Sequence, residues 1–315
     1  MLKAVEKPGN DNGRGPGVRC LRDGRAGQRV PSRDGLAAVP VDVARTCQAR
    51  QALEEAFPDR GEEVEAAFRS GDVLDADGAA IDPRRRVVAG QRLYVFRPIP
   101  DEPAEPIRLD IIARNERWIA IDKPHGLAST PRGSHVAQTV TVAARRQFAD
   151  PSITVAHRLD AATAGVMLLV ADARFRGAYQ ELFARRRVAK WYLAIAPADD
   201  GFAGGRLVEL ALSKPRGSLQ ALVVDGRPNC ATRIRLIRRS GGRGLYEIEP
   251  IGGRTHQIRA VMSHLGMPIE GDWLYPKVAA RATADLQLLA RRLEFRDPVD
   301  GASVSLESSR RLDWP

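Results

Sequence analysis

The sequence predicts an α+β fold, on three observations. Segments with strand-like and helix-like spacing follow one another without strict alternation, which argues against a doubly wound parallel sheet. No Gly-x-Gly-x-x-Gly follows a strand and no glycine-rich loop ends in Gly-Lys-Ser/Thr, so no dinucleotide or P-loop architecture is indicated. Of the 315 residues, 43% are hydrophobic, enough for a packed interior, and the longest apolar run, Ala164 to Ala171, has the length of one buried strand. That run is far below the roughly 20 residues of a membrane helix, and the N-terminus lacks the apolar stretch of a signal peptide. A soluble cytoplasmic protein with no membrane partner is expected.

Charge divides the chain into segments. The formal net charge is +10, but residues 36–105 hold 9 Lys and Arg against 14 Asp and Glu, while residues 106–315 hold 32 against 21. Residues 1–35 carry seven glycines and no apolar period, and are read as a disordered basic leader. Within the acidic segment, Ala49 to Phe57 and Glu63 to Phe68 have helical spacing, and Asp72 to Leu74 and Arg92 to Phe96 read as strands. A small α+β accessory domain is expected over 36–98, followed by a Pro-rich acidic linker over 99–106 and a basic domain over 107–315. Cys20, Cys47 and Cys230 are too scattered for a disulfide framework or a cysteine zinc site, and no metal is expected.

In the basic domain, strands are expected at Trp118 to Asp122, Val166 to Val170, Val188 to Ala196, Arg206 to Leu212, Ala231 to Ile237 and Leu245 to Ile251. Helices are expected at Val140 to Phe148, Phe175 to Phe183 and His256 to His264, the last with Thr255 as its N-cap and Gly266 as its stop.

Three segments carry polar groups in loops or on strand faces. His157-Arg158-Leu159-Asp160 lies in a small-residue loop between two apolar strands, where functional groups concentrate; taken alone it also reads as an aspartate turn beside an incidental arginine. Gly252-Gly253-Arg254-Thr255-His256-Gln257-Ile258-Arg259 opens a helix, where backbone N–H groups can meet an anion; its bland reading is a basic helix start with Arg259 solvated. In Lys190-Trp191-Tyr192-Leu193-Ala194, alternate residues share a strand face, and Tyr192 alone reads as a half-buried aromatic.

Together, in this order, and with Asp122-Lys123-Pro124-His125-Gly126-Leu127 and Leu265-Gly266-x-Pro268-Ile269-x-Gly271-Asp272-x-Leu274-Tyr275, these blocks make residues 107–313 resemble the RluA family of pseudouridine synthases. The resemblance implies a mixed, largely antiparallel central sheet flanked by helices, preceded here by a segment loosely similar to an S4-type domain. It implies an RNA substrate, ribosomal or transfer RNA, and an isomerisation without cofactor: uracil is detached from C1′ of a uridine, rotated and rejoined through C5. Asp160 matches the essential aspartate, Arg259 the arginine paired with it and Tyr192 the tyrosine that stacks on the flipped base. Arg158 matches the residue that fills the gap left by that base. His157, Arg254 and Leu288 are placed with it as substrate-binding residues, Leu288 in the stretch beneath the uracil. Val261 and Leu289 stand where many members have histidine.

A planar guanidinium suits a vacated base position, since it both stacks and hydrogen-bonds. Arg145-Arg146, Arg174 with Arg176, Arg185-Arg186-Arg187 and Arg233 with Arg235 offer phosphate contacts, each individually as consistent with a solvated face. A non-catalytic RNA-binding protein or chaperone on the same fold is the competing reading, and a monomer is expected.

Overall fold

A computed structural model describes residues 18–23, 28–33, 35–96, 106–131, 136–275 and 285–314. They fall into two compact units: residues up to 104 with 132–137 and 145–152, and the remainder.

The first unit contains β1 (Val18–Asp23), β2 (Gln28–Arg33), β3 (Leu36–Ala37), β4 (Val39–Asp42), β5 (Cys47–Gln48), α1 (Ala49–Ala56), α2 (Gly61–Arg69), β6 (Val73–Leu74), β7 (Arg86–Val87) and β8 (Arg92–Val95). Strand β8 lies between β4 and β6, and α1 and α2 close a core of Val41, Leu53, Val64, Val73, Val87 and Leu93. The leader is not wholly irregular: β1 and β2 pair antiparallel from Val18↔Arg33 to Asp23↔Gln28. Such a ribbon satisfies its backbone groups by pairing and needs no apolar period, which is why the sequence pattern does not announce it. The rest of the leader up to residue 17, and the linker apart from Pro106, lie outside the described residues.

The second unit is built on one sheet of eleven strands: β9 (Asp110–Arg114), β10 (Trp118–Lys123), β11 (Thr154–Val155), β12 (Ala164–Val170), β13 (Val188–Pro197), β14 (Arg206–Ser213), β15 (Leu222–Val224), β16 (Cys230–Ser240), β17 (Arg243–Ile251), β18 (Leu288–Arg296) and β19 (Ser303–Glu307). The order is β15-β14-β16-β17-β13-β18-β12-β10-β9, with β11 on β12 and β19 on β18. This is the mixed, largely antiparallel sheet of an α+β fold: every pairing is antiparallel except β12 with β18. Helices α4 (Arg176–Ala184) and α5 (Gln257–His264) belong to this unit, as does the start of α3 (Val140–Gln147).

All seven residues of β12 are buried, so the strand reads as a continuous apolar run rather than an alternating one. Val166, Leu168 and Val170 pack on one face with Tyr179 and Leu182 of α4, alongside Trp118, Leu293 and Phe295. At the parallel pairing the backbones almost touch: Gly165 has φ +111°, and a Cβ there would sit 2.2 Å from the Ala290 carbonyl oxygen. Only glycine allows that approach, and it sets the turn ahead of β12 over the middle of the sheet.

Candidate active site

Asp160 opens the turn that feeds β12, with its carbonyl accepting from Thr163 N–H at 3.0 Å. The loop after β10 holds this turn from beneath. Buried Lys123 donates to the carbonyls of Pro124, Leu127 and Ala161 at 2.8–2.9 Å. Ser129 Oγ donates to Leu159 O at 2.6 Å and accepts from Leu159 N, and His125 Nδ1 lies 2.8 Å from Ala162 O. The segment from Lys123 to Ser129 is thus a cradle for residues 159–162. Burial pushes the Lys123 ammonium down to about 7, and the neighbouring Asp160 carboxylate opposes that shift.

Asp160 lines a cleft of about 580 Å³ together with Arg158, Lys190, Tyr192, His256 and Arg259. Arg259 is buried, not solvated, because its Nε and Nη2 fork onto Asp272 at 2.8 and 2.6 Å. Its remaining nitrogen, Nη1, reaches Asp160 Oδ2 at 3.7 Å, so one guanidinium is anchored by a fully buried carboxylate and presented to a second. Asp272 also accepts from Leu274 and Tyr275 N–H. Asp272→Asn keeps the shape and removes the charge, and breaking a buried pair in this way costs about 3–5 kcal/mol. Chemical denaturation should register that loss, and turnover should fall at least about tenfold, since the anchor of Arg259 is weakened.

Helix α5 starts one residue later than its sequence pattern suggests. His256, at φ +55°, occupies the N-cap without a side-chain capping bond, and Thr255 does not cap. Gln257 supplies the local closure, its Oε1 accepting from Arg254 N–H at 3.1 Å and its Nε2 donating to Ala231 O and Thr232 Oγ1. The left-handed kink turns the His256 ring into the cleft, with Nε2 at 3.7 Å from Asp160 Oδ1 and Nδ1 at 3.2 Å from Tyr275 Oη. Burial lowers the His256 pKa against the pull of Asp160.

Tyr192 is buried on β13, opposite Ile248 of β17 and Ala290 of β18. Ala194, two residues on, faces Leu288, so Tyr192 and Leu288 are diagonal neighbours on one sheet face, and both line the cleft. Burial, reinforced by Asp160, pushes the Tyr192 phenol well above its usual range, so it stays protonated at neutral pH. Arg158 and Arg254 are exposed on the cleft wall. Val261 and Leu289 are core residues.

His157 lies in the same wall but its ring is committed to the fold. Its Nε2 accepts from Leu168 N–H at 3.0 Å, and the ring stacks on Phe183 with centroids 4.2 Å apart. Burial, with Lys190 nearby, holds its pKa down to about 3. Between pH 6.5 and 3 the unfolded chain therefore binds a proton that the folded chain refuses, and stability falls as pH drops through that window. His157→Gln keeps an acceptor for Leu168 N–H and should lose less stability than the parent between pH 7 and pH 4, as measured by urea midpoints.

The structure thus brings Asp160, Tyr192, Arg259, Arg158, Arg254 and Leu288 to one cleft. Lys123, His256, Asp272 and Tyr275 fall in the quoted sequence blocks without a role of their own, and Ser129 falls in none of them. A signal was present for two of them: Lys123 ends an apolar strand without a solvent-facing alternation, and Asp272 directly follows a glycine in the Leu265 to Tyr275 block. Among the described residues no three His, Cys, Asp or Glu side chains gather as a metal group, and no helix is long and apolar enough to cross a membrane.

The mixed sheet is that of the pseudouridine synthases, as the comparisons show. Residues 117–264 match the family model described as RNA pseudouridylate synthase. The chain belongs to the RluA family of RNA pseudouridine synthases, which are isomerases acting on RNA. It is 33% identical over 277 residues to the ribosomal large subunit pseudouridine synthase D of Xylella fastidiosa, covering 81% of this chain and 82% of that one. It is 32% identical to the dual-specificity RNA pseudouridine synthase RluA of Vibrio cholerae, covering 60% of this chain and 78% of that one. Among solved structures, human RNA Pseudouridylate Synthase Domain Containing 1 shares the fold, with a TM-score of 0.56 at 22% identity over 66% of this chain and 86% of that one.

Proposed function

We propose that this enzyme converts specific uridines of ribosomal RNA to pseudouridine, with Asp160 as the nucleophile acting on a uridine flipped out of its stack. The observation that carries this reading is the placement of Asp160 in an open cleft, 3.7 Å from the Nη1 of an arginine whose other nitrogens are bound to Asp272. The C1′–N1 bond breaks with its electron pair left on N1, the freed uracil turns, C1′ bonds to C5, and the proton lost from C5 is balanced by one gained at N1. Arg259 holds the carboxylate aimed at the cleft, Tyr192 offers a flat protonated phenol beneath the base, and Leu288 supplies an apolar floor beside it. Arg158, exposed next to Asp160, takes the place the base vacates. Arg254 is a substrate contact at the opposite wall, and His157 orders the wall through Leu168. No metal or cofactor is assigned a role, and residues 36–98 are assigned an accessory one.

Ribosomal RNA is preferred as target because the relative aligned over 277 residues bears a ribosomal large subunit name. The test is incubation of the purified protein with ribosomal and transfer RNA from cells lacking the gene, followed by pseudouridine-specific chemical stops. New stops at one or a few ribosomal uridines are expected. Stops confined to transfer RNA would overturn the target, and binding without any conversion would favour the chaperone reading.

A further inference from the structure

The four basic clusters offered by the sequence are not equivalent in the fold. Arg174 Nη2 is 2.5 Å from Asp172, Arg185 Nη2 2.6 Å from Glu181, Arg233 Nε 3.4 Å from Glu249 and Arg235 Nη2 2.7 Å from Glu247. Arg145, Arg146 and Arg176 also have partners. A guanidinium already facing a carboxylate contributes little net attraction for a polyanion. Arg186 and Arg187 differ, since neither has a carboxylate partner among the described residues.

Both line a second cleft of about 640 Å³, adjoining the one that holds Asp160 through Phe183, Lys190, Pro250 and Gly252. Its two carboxylates are neutralised from outside, Glu249 by Arg233 at 3.4 Å and Glu294 by Arg292 at 3.5 Å. Lys190, whose Nζ donates to Gly252 O, stands at the junction, and Arg186 adds to the burial that lowers its pKa. Arg186 and Lys190 therefore lie near one another, and neither is paired with a carboxylate among the described residues. Phe295 is buried in the core and Phe183 stacks on His157, so neither offers a free ring for base stacking.

The way Arg186 is held is the second observation. Helix α4 ends in a Schellman turn, with Arg187 N–H on Leu182 O at 2.8 Å and Arg186 N–H on Phe183 O at 3.1 Å. The residue at the left-handed position of that turn is usually glycine; here it is Arg186, at φ +58°. A bulky cation is kept where glycine would be more stable, and strain of this kind clusters at ligand contacts.

We propose that the second cleft carries the phosphodiester backbone of the RNA strand flanking the target uridine, with Arg186 and Arg187 as its phosphate contacts. The proposal rests on the placement of that uridine over Asp160. Because the contacts are to phosphate and not to bases, they are salt-sensitive and indifferent to sequence.

The test uses the full chain carrying Arg186→Gly with Arg187→Gln, and single-stranded poly(U) as probe in filter binding across a salt series. Each lost phosphate contact on a single strand reduces the slope of log K against log[salt] by about 0.7, so a reduction of about 1.4 is expected. Glycine relieves the left-handed strain, so the thermal midpoint of Arg186→Gly should equal or exceed that of the parent, which separates lost binding from lost folding. Arg174→Gln, whose partner Asp172 lies with it outside the cleft lining, should leave the slope unchanged. On ribosomal RNA the arginine pair should raise KM at least about tenfold, with little change in kcat. An unchanged slope in the arginine variant, with conversion by the parent intact, would overturn the groove and leave the reading of Asp160 standing. Failure of Asp160→Asn to stop conversion would sink that reading without altering the salt slopes.

Discussion

Asp160→Asn should abolish pseudouridine formation, by roughly 10³-fold or more in kcat, while RNA binding stays within a few-fold of the parent. Asparagine is nearly isosteric, and the turn itself is held through main-chain groups: Thr163 N–H bonds to the Asp160 carbonyl, and Lys123 and Ser129 bond to Ala161 and Leu159. The cations of the cleft remain in place, so the electrostatic part of binding survives. Stability should change little, because the Asp160 side chain is 30% exposed and its partners sit at 3.7 Å, a geometry in which solvent screens most of the pair energy. The measurement is single-turnover conversion at saturating RNA, read by chemical stops, beside a binding titration of the same preparation. Conversion at a parental rate would remove the carboxylate from the chemistry altogether.

Gly165→Ala should be the most damaging small substitution in the second unit. The added carbon would lie 2.2 Å from the Ala290 oxygen and 2.8 Å from its carbon and nitrogen, all backbone atoms of a central strand that cannot swing aside. The φ of +111° is itself closed to alanine. Either β12 and β18 separate, exposing a strand that is buried along its length and the buried start of the other, or the chain does not complete the sheet. A loss of about 4 kcal/mol or more is expected from denaturant unfolding, against a change near zero for Ala at an open glycine such as Gly177. Activity should fall with it, since the Asp160 turn is suspended from this pairing. A midpoint within about 1 kcal/mol of the parent would contradict the close approach.

The two variants test parts of the molecule that were unequally legible in the sequence. The strand order along the chain, the apolar character of β12 and the helical spacing of α4 follow from periodicity, a local property of neighbouring residues. The Asp160 loop stood out because polar groups interrupt apolar runs there. The hairpin of β1 and β2 did not, since main-chain pairing carries no side-chain period. The cap of α5 was misread because Thr255 is a good capping residue by type, while the fold places His256 in a left-handed conformation and closes the turn with Gln257. Arg259 was left between solvated and catalytic, and only Asp272, thirteen residues further on, makes its burial affordable.

By itself, then, the sequence determined which residues are chemically equipped: a lone carboxylate in a small-residue loop, a tyrosine on a strand, an arginine on a helix, and an excess of positive charge after residue 105. Tertiary structure alone decided which positive charges are free. Whether an arginine is matched by a carboxylate depends on helix geometry and strand pairing: Arg185 meets Glu181 one helical turn away, Arg233 meets Glu249 across a strand pair, and Arg186 and Arg187, beside Arg185 in the chain, meet neither. Net charge is a sum over residues, but the field an RNA encounters is what remains after the fold has paired them.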